Sequence, residues 1–133
     1  MRIYSLLTAA LVATGLLASA APSARAATEA PFTPVAFTTA QQQNKPILVD
    51  ITASWCPTCA KQRPILAQLA KDPAFKDLQV YTVDFDTQKD VVRAMGAQMQ
   101  STLVVFRGTD EKGRSTGDTA PASIKALLEK ANQ

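Results

Sequence analysis

Trp55-Cys56-Pro57-Thr58-Cys59 decides how this chain is read. Its two cysteines are the only ones in the sequence, and there is no histidine. The run Ile47-Leu48-Val49-Asp50-Ile51-Thr52 comes shortly before it and is β-branched and apolar enough for a buried strand. After it, Ile65, Leu66 and Leu69 recur at helical spacing. Cys56 is therefore expected at the start of a helix, just off the end of a buried strand. The first helical turn has unpaired N–H groups and the positive end of the macrodipole, and both stabilise a thiolate. The thiolate is the nucleophile of disulfide exchange. Cys59 lies one helical turn on, near enough to close a disulfide with Cys56. It is expected to be the more buried and the slower to ionise, so Cys56 attacks a partner disulfide and Cys59 resolves the mixed disulfide.

Two plainer readings compete. Half a zinc site needs two further Cys or His ligands, which this chain cannot supply. A static disulfide closing so short a loop removes little unfolded-chain entropy. The tryptophan and the helix start favour reactivity instead.

The stretch resembles the active site of the thioredoxin superfamily, and other residues extend the likeness from about Phe32 to Asn132. Asp50 falls where that family has a buried acid, and Pro64 where its active-site helix has a kinking proline. Thr102-Leu103-Val104-Val105-Phe106 is similar to its next central strand, and Gly117 to a glycine before its last helix. The resemblance implies an α/β thioredoxin-like fold, a central mixed β-sheet flanked by helices. It implies no cofactor beyond the Cys56–Cys59 disulfide, protein disulfides as substrates, and a proton-carrying role for Asp50. Burial without a cation raises a carboxyl pKa. Where relatives often have a lysine on the adjacent strand, the matching residue here is Thr82, which leaves Asp50 less compensated. Trp55, Pro57 and Thr58 are expected to border the Cys56 sulfur. Pro57-Thr58 lacks the histidine of strongly oxidising relatives, so the couple is expected to be less oxidising.

The departure from the family is Ser101, which stands where a cis-proline is expected. A cis bond before serine costs about 2.5–4 kcal/mol, so a trans bond is expected. The loop Met99-Gln100-Ser101 then differs in shape, and with it the backbone groups that Gln100 offers a bound peptide. Substitution of Ser101 by proline is expected to restore the family's docking loop and widen substrate range. Without that proline, the cysteines are also open to a metal or an iron–sulfur cluster shared by two chains, the weaker alternative.

The remaining chain sets the context. Arg2, the apolar run Leu6 to Ala18, and Ala24-Arg25-Ala26 read as a signal peptide over residues 1–26, which leaves 27–133 as one thioredoxin-like domain. An uncleaved membrane anchor is the alternative, though Pro22 interrupts the run. Export implies an oxidising compartment, periplasmic in a diderm host, and a dedicated partner such as a membrane electron donor to set the redox state. The formal charge of +3 falls close to neutral once Arg2 and Arg25 leave, with no basic block to imply nucleic acid. A monomer is expected.

In chain order, Thr28 to Pro34 reads as a loosely ordered lead-in and Val35 to Phe37 as a short edge strand. A helix capped by Thr38 follows, then the Ile47 strand and a helix from about Cys56 to Lys71. Asp72-Pro73 reads as one capped turn and Val80 to Asp84 as a strand. A helix capped by Asp86 or Thr87 and ended by Gly96 comes next, then a strand from Thr102 to Phe106. A turn at Gly108 to Gly113 leads to a strand at Arg114 to Thr116, and Pro121 opens the last helix. The other reading of function is a binding module on this scaffold with little turnover, which Ser101 motivates.

Overall fold

A computed structural model describes residues 25–133; the signal peptide expected over 1–26 lies outside them but for Arg25 and Ala26. Five strands, β1 (Thr28–Pro31), β2 (Pro46–Thr52), β3 (Gln79–Asp84), β4 (Thr102–Arg107) and β5 (Asp110–Thr116), form one sheet in the order β1-β3-β2-β4-β5. The strands β1, β3 and β2 run parallel, while β4 pairs antiparallel with β2 and β5. The helices are α1 (Pro34–Gln42), α2 (Pro57–Leu69), α3 (Lys89–Ala94) and α4 (Pro121–Glu129).

The period of two in β2 explains the layering. Ile47, Val49 and Ile51 join Ala40 of α1 and Val92 of α3 on one face of the sheet. Leu48 joins Ile65, Leu66 and Leu69 of α2 and Ile124, Leu127 and Leu128 of α4 on the other. Asp50 shares this second face, by alternation. With apolar side chains needed on both faces, β2 reads as a continuous hydrophobic run.

Four expectations are corrected. Thr28–Pro31 is a strand rather than a loose lead-in, held on β3 with Thr28 opposite Gln79 and Pro31 opposite Thr82. Proline is tolerated there because β1 is an edge. Val35–Phe37 is the first turn of α1, not a strand. Thr33 is its N-cap, its Oγ1 accepting from the Ala36 N–H at 3.2 Å, with Pro34 pre-set for the helix. Neither Asp86 nor Thr87 caps α3; Gln88 stands there without a side-chain bond, and both N–H groups donate to Asp84 Oδ1. Finally, β5 begins at Asp110, because Gly108, at φ +56°, turns the chain tightly.

The expected turn at Asp72 is present, its Oδ1 accepting from the Ala74 N–H at 2.9 Å. α2 ends at Leu69, two residues before the expected Lys71, and Gly96 follows α3 with φ +64°.

Candidate active site

Beyond Thr52 the chain leaves the sheet and folds back, with the Cys56 N–H donating to the Ala53 carbonyl at 3.3 Å. Cys56 is the N-cap of α2 and Pro57 its first helical residue. At this position a sulfur does what a serine oxygen does elsewhere: Cys56 Sγ accepts from the Cys59 N–H at 3.0 Å. The two cysteines are disulfide-bonded, with Cα atoms 5.3 Å apart. Burial does not separate them in this oxidised state, at 2% exposed for Cys56 and 1% for Cys59. Position does, because only Cys56 stands at the helix start. When the disulfide is reduced, an N–H bond and the macrodipole favour its thiolate.

Trp55 is 59% exposed. Its Nε1 donates to Asp86 Oδ2 at 2.7 Å, which fixes the ring plane beside the cysteines. Pro57 is exposed and Thr58 half-buried. The sequence reading missed Asp86, having taken it for a helix cap. No local signal connects two residues this far apart in the chain.

Asp50 lies opposite Thr82 on β3 and Leu103 on β4, so the residue beside it on the adjacent parallel strand is Thr82 and not a lysine. Asp50 is 8% exposed, and its Oδ1 has no hydrogen-bond partner. Burial, helped by the Glu29 carboxylate and opposed by the Arg63 guanidinium, pushes its pKa up to about 6 from an ordinary 3.8. A cavity of about 200 Å³ opens beside it, lined by Glu29, Asp50 and Arg63 among apolar side chains. Arg63 is held in place by donating to the Ala53 carbonyl at 3.2 Å.

Ser101 is buried and joined to Gln100 by a trans peptide, with φ +57°. Its Oγ donates to the Gln100 carbonyl at 2.6 Å. Its own carbonyl accepts from the Gly117 N–H at 2.9 Å and from Gln62 Nε2 at 3.3 Å. Gln62 Nε2 also reaches the Asp118 carbonyl at 2.9 Å, so one amide ties α2 to two loops. Gln62 is 1% exposed and lies one turn beyond Cys59 on the same face of α2. The sequence reading missed it because the apolar stripe accounted for the helix without it. The left-handed φ also overturns the expected effect of proline at 101. Proline fixes φ near −65°, so it cannot enter this loop without rebuilding it. Gln100 is half-buried and Met99 exposed.

A start-of-helix thiol, a second thiol one turn behind it and a buried acid of raised pKa can together carry out thiol–disulfide exchange. Among the described residues, no cluster of three or more His, Cys, Asp or Glu side chains could hold a metal. The sequence model of the Thioredoxin family matches residues 29–130. The H-type thioredoxin of Brassica campestris is 34% identical over 94 residues, covering 71% of this chain and 74% of that protein. A thioredoxin of Mycobacterium tuberculosis is 33% identical over 81 residues, covering 61% and 69%. Among solved structures, Trxlp from Edwardsiella tarda EIB202 superposes with a TM-score of 0.73 at 42% identity, over 76% of this chain and 97% of that one. A mutant thioredoxin from Halobacterium salinarum NRC-1, at 22% identity and a TM-score of 0.69 over 85% and 96%, shares the fold. The sequence match, the sheet and the cysteine pair agree, and the chain belongs to the thioredoxin family, with the redox pair of a thiol–disulfide oxidoreductase.

Proposed function

We propose that this protein reduces protein disulfides outside the cytoplasm. The observation that carries the reading is Cys56 Sγ at the N-cap of α2, accepting the Cys59 N–H. In the reduced protein the Cys56 thiolate attacks one sulfur of a substrate disulfide. The substrate S–S bond breaks, one thiol leaves, and Cys56 is joined to the substrate by a mixed disulfide. The Cys59 thiol passes its proton to the Asp50 carboxylate and attacks the Cys56 sulfur. The second substrate thiol leaves, and the Cys56–Cys59 disulfide is formed. Two electrons have passed to the substrate, and an external dithiol donor returns them.

The reducing direction is supported by Pro57-Thr58, which puts no cation beside Cys56. The extracytoplasmic setting is supported by Arg2, the apolar run Leu6 to Ala18 and Ala24-Arg25-Ala26. In that setting the donor is a membrane dithiol relay, and the protein acts as a monomer. Trp55, Pro57 and Thr58, with the backbone of Gln100 and Ser101, form the substrate border.

The assay is reduction of insulin disulfides by the mature protein with a dithiol donor. Turnover that disappears in Cys56→Ser supports the reading. The tied loop at Ser101 favours a second one, a partner-binding module of narrow range. Stable capture of a single partner with no insulin turnover would select it. For the setting, protein recovered from the exported fraction should begin at Ala27; an intact Met1 there would indicate a retained anchor.

A further inference from the structure

The environment of Asp50 contains two charged residues to which neither the thiol chemistry nor the family pattern gives a role. Asp50 has no cation on the adjoining strand, where Thr82 stands opposite it. Its Oδ1 is buried without a partner. The cavity beside it measures about 200 Å³, well above the roughly 15 Å³ that one water requires. Its apolar wall comes from Leu48, Leu66, Leu78 and Leu128, among others.

The charged groups facing this space come from two elements. From β1, Glu29 lies opposite Val80 in the register, and Val80 opposite Leu48, which puts its carboxylate on the same face of the sheet as Asp50. It is exposed, on the outermost strand. From α2, Arg63 is anchored by its bond to the Ala53 carbonyl. Leu78, just before β3, Val80 of β3 and Leu128 of α4 also line the cavity and carry no charge. Asp84, further along β3, lines the neighbouring groove, and its Oδ1 accepts from the Asp86 and Thr87 N–H groups. The Cys59 thiol is the remaining titrating group when the protein is reduced.

We propose that Arg63 and Glu29 are positioning residues for resolution: they form the charged mouth of a water-holding cavity through which Asp50 exchanges its proton with solvent, Arg63 supplying from α2 the cation that Thr82 does not. The inference rests on Asp50 being the base for Cys59. The two residues act in opposite directions. The guanidinium favours the ionised carboxylate that can accept the thiol proton. The Glu29 carboxylate favours the protonated form and, being exposed, hands the proton on to water. Both charges are felt by Asp50 in the expected sense, with burial the larger influence.

The test uses Ellman's reagent, an aromatic disulfide, with the reduced full-length mature protein. Attack by Cys56 releases the first thionitrobenzoate and leaves the second joined to Cys56. Attack by Cys59 then releases the second and forms the protein disulfide. The rate of the second release is followed from about pH 5 to pH 8, a range that brackets carboxyls raised by burial. Glu29→Gln should move the midpoint of this profile down by about half a pH unit, and Arg63→Met should move it up by a smaller amount, in the order of their influence on Asp50. Arg63→Lys should restore most of the wild-type midpoint. Glu29 is exposed on an edge strand, so Glu29→Gln keeps the test alive even if Arg63→Met folds poorly. Midpoints within about 0.2 of wild type in Glu29→Gln and in a folded Arg63→Met would overturn the proposal, provided Asp50→Asn still slows the second release. A second release that keeps the wild-type profile in Asp50→Asn would show that Asp50 is not the base, and would overturn both the base assignment and its charged mouth.

Discussion

Asp50 and Ser101 show how single residues are set by what surrounds them. A carboxyl whose pKa rises on folding holds its proton more tightly in the folded chain than in the unfolded one. Stability is then greatest below the unfolded pKa and is lost as pH rises through the folded value. For Asp50, moving from 3.8 to about 6, the loss amounts to about 3 kcal/mol between about pH 4 and pH 7. Asp50→Asn should therefore be more stable than wild type at pH 8, with the gain fading toward pH 4, while the resolving step slows. Urea denaturation at the two pH values measures this; an equal difference at both would mean that Asp50 titrates normally. Ser101 is constrained by geometry rather than charge. Its φ of +57° suits glycine and excludes proline. Ser101→Gly should stay within about 1 kcal/mol of wild type, whereas Ser101→Pro should lose about 3 kcal/mol or more. Equal denaturation midpoints for the two variants would show that the left-handed turn is not a constraint.

At the scale of elements, α2 joins the parts of the site. Its N-cap is the candidate nucleophile, its first turn carries Cys59, and its second presents Gln62 to the Ser101 and Asp118 carbonyls. Gln62→Leu removes both bonds but also the unpaired buried Oε1, so stability should fall by only about 1–2 kcal/mol. The loop should loosen more than the fold does. Amide exchange at Gly117, whose N–H donates to the Ser101 carbonyl, should accelerate, and unchanged protection there would remove Gln62 from the account. The start of α2 was legible from the sequence because a buried strand, a tryptophan and an apolar stripe all pointed to the same few residues. The start of α1 was misread because Thr33 and Thr38 are equally good caps taken alone. Pro34, fixed at the φ of a first helical residue, decides between them. The strand β1 had no sequence signal: Thr-Glu-Ala-Pro does not alternate, and its hydrogen bonds come from β3, far along the chain.

For the whole molecule, one sheet with helices on both faces places the cysteines beyond the carboxyl end of β2, a usual place for chemistry in open α/β sheets. The resemblance made this architecture readable, and the pairing of Asp50 with Thr82 followed from it. The Trp55–Asp86 bond, the Gln62 tie and the cavity at Glu29 and Arg63 were not readable. Each joins residues distant in sequence, and none follows a helical or strand period. The proposed function divides the two thiols by role, with Cys56 at the N-cap of α2 as nucleophile and Cys59 as resolving group. Incubating the reduced Cys59→Ser protein with a disulfide-bonded protein substrate and determining the attachment site by mass spectrometry tests that division most directly. The account predicts a stable mixed disulfide on Cys56, and far less adduct from Cys56→Ser under the same conditions. Attachment through Cys59 of Cys56→Ser at an equal or greater rate would contradict it.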